Sequence, residues 1–373
     1  MKTAKNNLNV VYMGRYNNSE ILSGPEKTAK RIFDLRSAET GSSFIQYFFD
    51  GRKFGFFKKL FGMDSVALDD NAKLYTAGLV RIIPLLFKLK PDLIHVITYE
   101  RFAVIAAIFK LFSRVKIIYN VHGIIAYENS VIKKSPLFYR IKDKYCEWAL
   151  LKFSDKIVFL SELSIDIAQK YYQISESKAL ILSNGIDEEY HIACAGKLVN
   201  KSHIIKAVIL NGSGYSKSGI RFLIKAFSGA ELPVDLFIIG AKIDLVISNE
   251  NLEIHYLDKM ATSALADFYK DKDVFLSLND FETFSIATAE AMAAGLIPIV
   301  TVQTGMSRFI IDGENGYIIK YGDSENLRDS LDKISEEPEH RNDISAGSSK
   351  IYSILSWPEI YESYKNVYES VGL

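Results

Sequence analysis

Short apolar runs bounded by polar residues recur along the whole chain, and helical patterns fill the gaps between them. The first series of runs is Leu8–Met13, Phe44–Phe49, Leu93–Ile97, Lys116–Asn120, Lys156–Leu160 and Ala179–Leu182. Lys27–Ser37, Ala103–Phe112, Leu137–Leu151 and Ser164–Tyr172 lie between them with apolar residues at helical spacing. A second series runs Ala207–Asn211, Val234–Ile239, Glu253–Leu257, Val274–Leu278, Ile297–Thr301 and Tyr317–Lys320. Strands that are apolar nearly throughout are covered on both faces. Their alternation with helices predicts an α/β fold of two Rossmann-like, doubly wound domains. The pattern lapses over residues 190–203, which sets the expected domains at 1–195 and 204–355. Trp357, Ile360, Tyr361, Tyr364, Val367, Tyr368 and Val371 then mark a closing helix over 357–373, with Pro358 in its first turn.

A length of 373 residues supports two domains, each able to bury a core, and 48% hydrophobic with 24% charged residues is ordinary for a globular chain. Two cysteines, Cys146 and Cys194, exclude a disulfide framework, and no Cys-x-x-Cys or His-rich metal spacing occurs. The simplest location is a reducing, cytoplasmic one. No signal peptide is read at the amino terminus, and no apolar run reaches the roughly 20 residues of a spanning helix. The net charge of zero hides an asymmetry: residues 1–200 hold 29 Lys+Arg against 20 Asp+Glu, and the remainder 16 against 25. A basic first half fits an anionic or membrane-surface partner, or is uneven surface charge.

The densest chemistry lies between Asp280 and Gly305. Glu282 follows the Val274–Leu278 run, and Glu290 stands eight residues later, about two turns into a predicted helix that Gly295 stops. Ligands of doubly wound sheets sit beyond the carboxyl ends of strands. Two ionised carboxylates there can accept hydrogen bonds from sugar or ribose hydroxyls. Phe284-Ser285-Ile286 and Gly305-Met306-Ser307 read as helix starts, whose free N–H groups suit phosphate.

Glu282 through Glu290, with Glu-Ala-Met-Ala-Ala-Gly-Leu-Ile-Pro following, resembles the glutamate-x7-glutamate signature of retaining, nucleotide-sugar-dependent GT-B glycosyltransferases of family 4. Four further phrases are similar to that family in the same order. They are Ser23-Gly24-Pro25-Glu26, Lys90-Pro91-Asp92-Leu93-Ile94-His95, Asn120-Val121-His122-Gly123 and Ser183-Asn184-Gly185-Ile186-Asp187. The resemblance covers nearly the whole chain. It implies two domains facing across a cleft, with the closing helix crossing back onto the first. It places Glu282 on the donor sugar hydroxyls, Glu290 on the ribose, His122 near the donor sugar, and Gly24 in the first Gly-rich loop. It also implies front-face transfer with retention, driven by positioning and by stabilising the departing diphosphate.

Departures from the family concern the phosphates. Members commonly carry Gly where Ser285 and Met306 stand, and Arg and Lys where Asn211–Gly219 has Ser213 and Ser218. Lys217, one residue early, has the reach to replace the lysine, or is a solvated loop residue. No Asp-x-Asp motif stands in place, so no cofactor and no essential metal are expected. His95, inside an apolar strand, reads as core.

The resemblance thus implies a UDP- or GDP-type sugar as donor, transfer of a hexose-type sugar, and a glycan or lipid-linked acceptor in surface polysaccharide assembly. Acceptor contacts are expected from residues 14–24, 50–75 and 123–136. Arg52 to Phe61 mixes basic and aromatic residues, with Phe54, Phe57 and Phe61 on one helical face. Such a segment either lies in a membrane interface, at the inner membrane face, or packs on the first domain. The competing readings are a catalytically silent GT-B subunit that binds a partner enzyme and another GT-B enzyme such as a sugar-nucleotide epimerase. A nicotinamide dehydrogenase is disfavoured, because no Gly-x-Gly-x-x-Gly follows Met13. Nucleic acid is not an expected partner.

Overall fold

Two sheets, each assembled from apolar strands and the helices between them, organise a computed structural model that describes residues 8–48, 55–132, 135–197, 202–212, 216–228, 231–241 and 249–372. The first unit comprises Met1–Leu182 with Ile360–Leu373, and the second Ser183–Glu359.

In the first unit the strands are β1 (Val10–Met13), β2 (Ser42–Gln46), β3 (Met63–Ala67), β4 (Ala72–Ala77), β5 (Leu93–Val96), β6 (Lys116–Val121), β7 (Lys156–Phe159) and β8 (Ala179–Ile181). They align as β3-β4-β2-β1-β5-β6-β7-β8. All pairs are parallel except β3 with β4, an antiparallel hairpin over Met63–Ala77 that overlaps the 50–75 segment expected to be loop. Every residue of β3 is exposed, so the hydrophobic pattern that betrays a covered strand is missing there. The order reverses between β1 and β5, which is where ligands of doubly wound sheets bind.

The second unit holds β9 (Ile205–Asn211), β10 (Val234–Gly240), β11 (Leu252–Leu257), β12 (Val274–Ser277), β13 (Ile297–Thr301) and β14 (Tyr317–Ile319). Its order, β11-β10-β9-β12-β13-β14, is the doubly wound 3-2-1-4-5-6 arrangement, parallel throughout. The β9–β12 junction is its switch point.

The units divide at 182/183 and not within 190–203. Residues 183–195 stay with the second sheet because Gly185 and Ile186 are locked to the chain before the last helix. Ile186 N–H donates to Leu355 O at 2.7 Å, and a Cβ on Gly185 would lie 2.3 Å from the Trp357 ring. Beyond Glu359 the closing helix Trp357–Gly372 belongs to the first unit. Its tyrosines complete a buried polar chain there. Asn120 Nδ2 donates to the Tyr364 hydroxyl at 2.6 Å, and His95 Nε2 lies 3.0 Å from Asn120 Oδ1. Since that oxygen only accepts, His95 carries its proton on Nε2 and accepts at Nδ1 from the Tyr368 hydroxyl at 2.9 Å. Burial pushes the His95 imidazole down to about 4, so it stays neutral. His95 is core, as its apolar strand predicts.

Candidate active site

Beyond the carboxyl end of β12, residues 278–285 fold against residues 301–305, the turn after β13. Glu282 N–H donates to Gln303 O at 3.1 Å, and Gly305 N–H donates back to Glu282 O at 2.9 Å. Thr301 Oγ1 adds a bond to Asn279 O at 2.6 Å. The Glu282 backbone is therefore fixed between two strand ends. Its partly buried carboxylate accepts from Asn279 Nδ2 at 2.8 Å. Burial raises its pKa above the usual carboxylate value, against the pull of hydrogen bonds from Asn279 and Ser285.

Ser285 opens the helix Ile286–Ala293 from a left-handed backbone, φ 74°. This region suits glycine, the residue that the family resemblance implies at this place. The Ser285 hydroxyl is paired with Thr288 Oγ1 at 2.8 Å. The first N–H groups of the helix lack intrahelical acceptors, as at any helix start. Phe284 is buried edge-on to Phe309, with ring centres 6.4 Å apart, so only its backbone is available to a ligand.

Gly305-Met306 begins a helix as expected, a short one of 3-10 type over Gly305–Phe309. The Gly305 amide is already used on Glu282 O, and Met306 is fully buried. This turn ties down the carboxylate loop and is a poorer anion cradle than the Ser285–Ile286 start.

Glu290 lies on the second turn of the helix and is buried. Its carboxylate accepts a hydrogen bond from the phenol of Tyr190, in the helix Glu188–Ala195, and Tyr269 lies close by. The two tyrosine rings are 6.0 Å apart. Burial, then the Glu290 charge, pushes the Tyr190 phenol far up, so it remains a proton donor to Glu290.

The helix Ser216–Phe227 follows β9. Ser218 is buried, and its hydroxyl accepts from Asp280 N–H at 3.1 Å, joining this helix start to the carboxylate loop. Gly219 permits that approach, because a Cβ there would meet Asn279 Oδ1 at 2.7 Å. Ser213 and the Lys217 side chain lie outside the described residues. Lys259, after β11, was not singled out by sequence. It carries its Cε to 3.8 Å from where a Gly212 Cβ would stand.

The remaining candidates belong to the first unit. His122 follows β6, and its Nε2 donates to Ile97 O at 2.9 Å, beyond the end of β5. Burial lowers its pKa to about 4, despite the Ile97 bond, leaving a neutral imidazole. Gly24 is the first residue of the helix Gly24–Glu39, where Glu26 accepts from Ser23 N–H at 3.0 Å and from its hydroxyl at 2.7 Å.

A cavity of about 740 Å³ opens near the ends of β2 and β5. Tyr47, Tyr99, Phe102 and Tyr139 supply aromatic walls, and Glu100 and Arg101 supply charge. Lys59, Ile125 and Asn129 come from segments expected to contact an acceptor. Arg101 is held by Asp143, its Nη2 donating to Oδ2 at 3.0 Å. Burial pushes Glu100 up to about 7, against the pull of Arg15 and Arg101. Neither the cavity nor Glu100 is visible in the sequence pattern.

One acidic group has metal-ligand spacing among the described residues: Asp235, Glu253 and His255, with ligand atoms within 4.8 Å of one another. It lies near the starts of β10 and β11, at the opposite strand ends from Glu282.

Each of the two units is a doubly wound α/β sheet, as the sequence pattern predicts. Comparison with known proteins agrees. Residues 206–350 match the family model Glycosyl transferases group 1, and residues 61–190 match Glycosyltransferase Family 4. The chain belongs to the family 4-type GT-B glycosyltransferases, a family of sugar-transferring enzymes.

Among its relatives is N-acetyl-alpha-D-glucosaminyl L-malate synthase of Bacillus anthracis, 24% identical over 200 residues, 50% of this chain and 52% of the relative. Another is the capsular polysaccharide biosynthesis glycosyltransferase CapM of Staphylococcus aureus, 25% identical over 200 residues and 50% of either chain. The chain spans about half the length of these two relatives. In fold it is similar to Anabaena HepE, solved with UDP: TM-score 0.70 and 14% identity over 97% of this chain and 100% of that one. HepE has also been solved with UDP-glucose.

Proposed function

We propose that the protein is a retaining glycosyltransferase that moves a hexose-type sugar from a UDP- or GDP-linked donor to a glycan or lipid-linked acceptor. The observation that carries this reading is the β12 turn. There a fixed carboxylate, Glu282, precedes a helix start, and a second carboxylate, Glu290, is buried on the same helix. Glu282 takes the sugar hydroxyls, Glu290 the ribose hydroxyls, and the amides at Ser285 and Ile286 the diphosphate. The nucleotide complexes of HepE support a nucleotide-sugar donor, and the name of CapM supports a role in surface polysaccharide assembly.

In the reaction the acceptor oxygen bonds to the anomeric carbon as the bond from that carbon to the diphosphate oxygen breaks. The leaving diphosphate takes the acceptor proton, with retention at the anomeric centre. Catalysis then consists of positioning and of stabilising charge on the leaving group, with no metal required. His122, neutral and fixed on Ile97 O, offers a hydrogen-bonding ring to the sugar. The aromatic cavity of the first unit suits an acceptor saccharide, and within residues 51–62 the exposed Phe56, Phe57 and Phe61 suit contact with the inner membrane face, while 51–54, with Phe54, lie outside the described residues.

A panel of UDP- and GDP-sugars scored for slow donor hydrolysis tests this without any acceptor. One donor is expected to be cleaved, and Glu282→Gln to abolish its cleavage. A second reading, a silent subunit that binds a partner enzyme, draws on Ser218. Its hydroxyl is engaged by Asp280 N–H where the family carries a phosphate-binding lysine. That reading predicts no hydrolysis of any donor and little nucleotide binding.

A further inference from the structure

The helix Leu137–Phe153 of the first unit turns an apolar face to solvent. Phe138, Ile141, Tyr145 and Trp148, spaced i, i+3, i+7 and i+10, share one side. Phe138 is 71% exposed, Tyr145 68% and Trp148 42%. Leu137 joins them. A buried stripe would be ordinary, but an exposed aromatic one needs something to cover it.

The charges say what covers it. Lys142 flanks the stripe on one side and Arg140 and Lys144 on the other, all exposed, while Lys152 lies over the Trp148 ring at 4.8 Å. The two acids of this helix, Asp143 and Glu147, both point inward. Asp143 is held by Arg101 and Asn129, and Glu147 accepts from Ile125 N–H, Ala126 N–H and the Tyr172 hydroxyl. The exposed side is therefore purely cationic and apolar. The neighbouring helix Val104–Lys110, which packs on this one, leads into exposed Leu111 and Phe112.

We propose that this helix face docks on the surface of an anionic lipid bilayer. Aromatic and aliphatic tips enter the headgroup boundary while the lysine and arginine heads reach lipid phosphates. A second copy of the chain fits poorly, since stacking the face on itself sets four cations against four. This inference does not rest on glycosyl transfer.

The chain carries its own reporter, because Trp148 is exposed whereas its second tryptophan, Trp357, is 4% exposed. The full chain is mixed with vesicles of phosphatidylcholine alone or with about one-third phosphatidylglycerol. With phosphatidylglycerol, Trp148 emission is expected to shift to the blue and to be quenched by brominated lipid, and binding to weaken with salt. Arg140→Gln with Lys144→Gln should weaken partition about thirtyfold. Phe138→Ser with Tyr145→Ser should remove the quenching. Phe56 and Phe57 are unchanged in these variants, so such losses assign the binding to Leu137–Phe153. Sedimentation without Trp148 quenching, equal binding to neutral vesicles, or no binding would overturn the proposal. So would self-association in the ultracentrifuge that the Phe138/Tyr145 variant abolishes. UDP-induced thermal shifts, read on the same samples, report the donor site separately.

Discussion

The phenol of Tyr190 is hydrogen-bonded to the carboxylate of Glu290, joining the helix after the Asn184-Gly185-Ile186-Asp187 phrase to the helix of the carboxylate turn. A buried carboxylate needs such a donor, and Tyr190 orients it for further hydroxyls. Tyr190→Phe should therefore destabilise the second unit by about 1.5–3 kcal/mol, the usual worth of a hydrogen bond to a charged group. Chemical denaturation measures this directly. The same variant should weaken UDP binding, because Glu290 loses its fixed orientation.

Ser285 bears a left-handed backbone that glycine adopts without cost. Ser285→Gly is expected to lose the bonds to Thr288 and Glu282 but relieve about 1 kcal/mol of backbone strain, lowering the melting temperature only slightly. Ser285→Ala loses the bonds and keeps the strain, so it should melt lower. Equal melting of the two variants would show that the backbone is not strained.

Gly185 lies against the Trp357 ring, where a Cβ would approach to 2.3 Å. Gly185→Ala should cost about 3 kcal/mol or more, since either the ring or the backbone must move. Denaturation reports it, and quenching of the otherwise shielded Trp357 emission should rise.

Much of the fold was legible because its strands are apolar nearly throughout and its helices keep their period. The β12 turn was legible because its carboxylates, helix and Gly stop are contiguous. Tyr190 was not, since its partner Glu290 stands 100 residues further on and no local pattern links them. The β3–β4 hairpin escaped because β3 buries nothing. Glu100 escaped because its cavity is built from five or more separate segments, and cavities leave no periodicity.

Glu100 makes stability depend on pH. Its folded pKa, about 7, lies above the ordinary 4.5, so its contribution is fully present below about 4.5 and is lost as pH rises through 7. With solvent screening of a partly exposed group, the loss between pH 5 and pH 8 is on the order of 1–2 kcal/mol. Glu100→Gln should flatten that slope in a series of denaturation curves. An unchanged slope would assign it to another group.

Lys259 approaches Gly212, which in sequence precedes the position where the family resemblance implies an arginine. Lys259→Ala is expected to weaken UDP binding several-fold and to reduce its salt dependence, with Lys217→Ala as the comparison. If only Lys217→Ala has an effect, the cation comes from the start of the helix Ser216–Phe227.

Calorimetric titration of UDP and GDP into the wild-type chain and Glu290→Gln tests the central claim most directly. One nucleotide should bind the wild type, and the variant should bind it at least tenfold more weakly, as expected on losing a charge-assisted pair of hydrogen bonds. Absence of binding by both nucleotides, or equal affinity in the two proteins, would contradict a nucleotide-sugar site at the β12 turn.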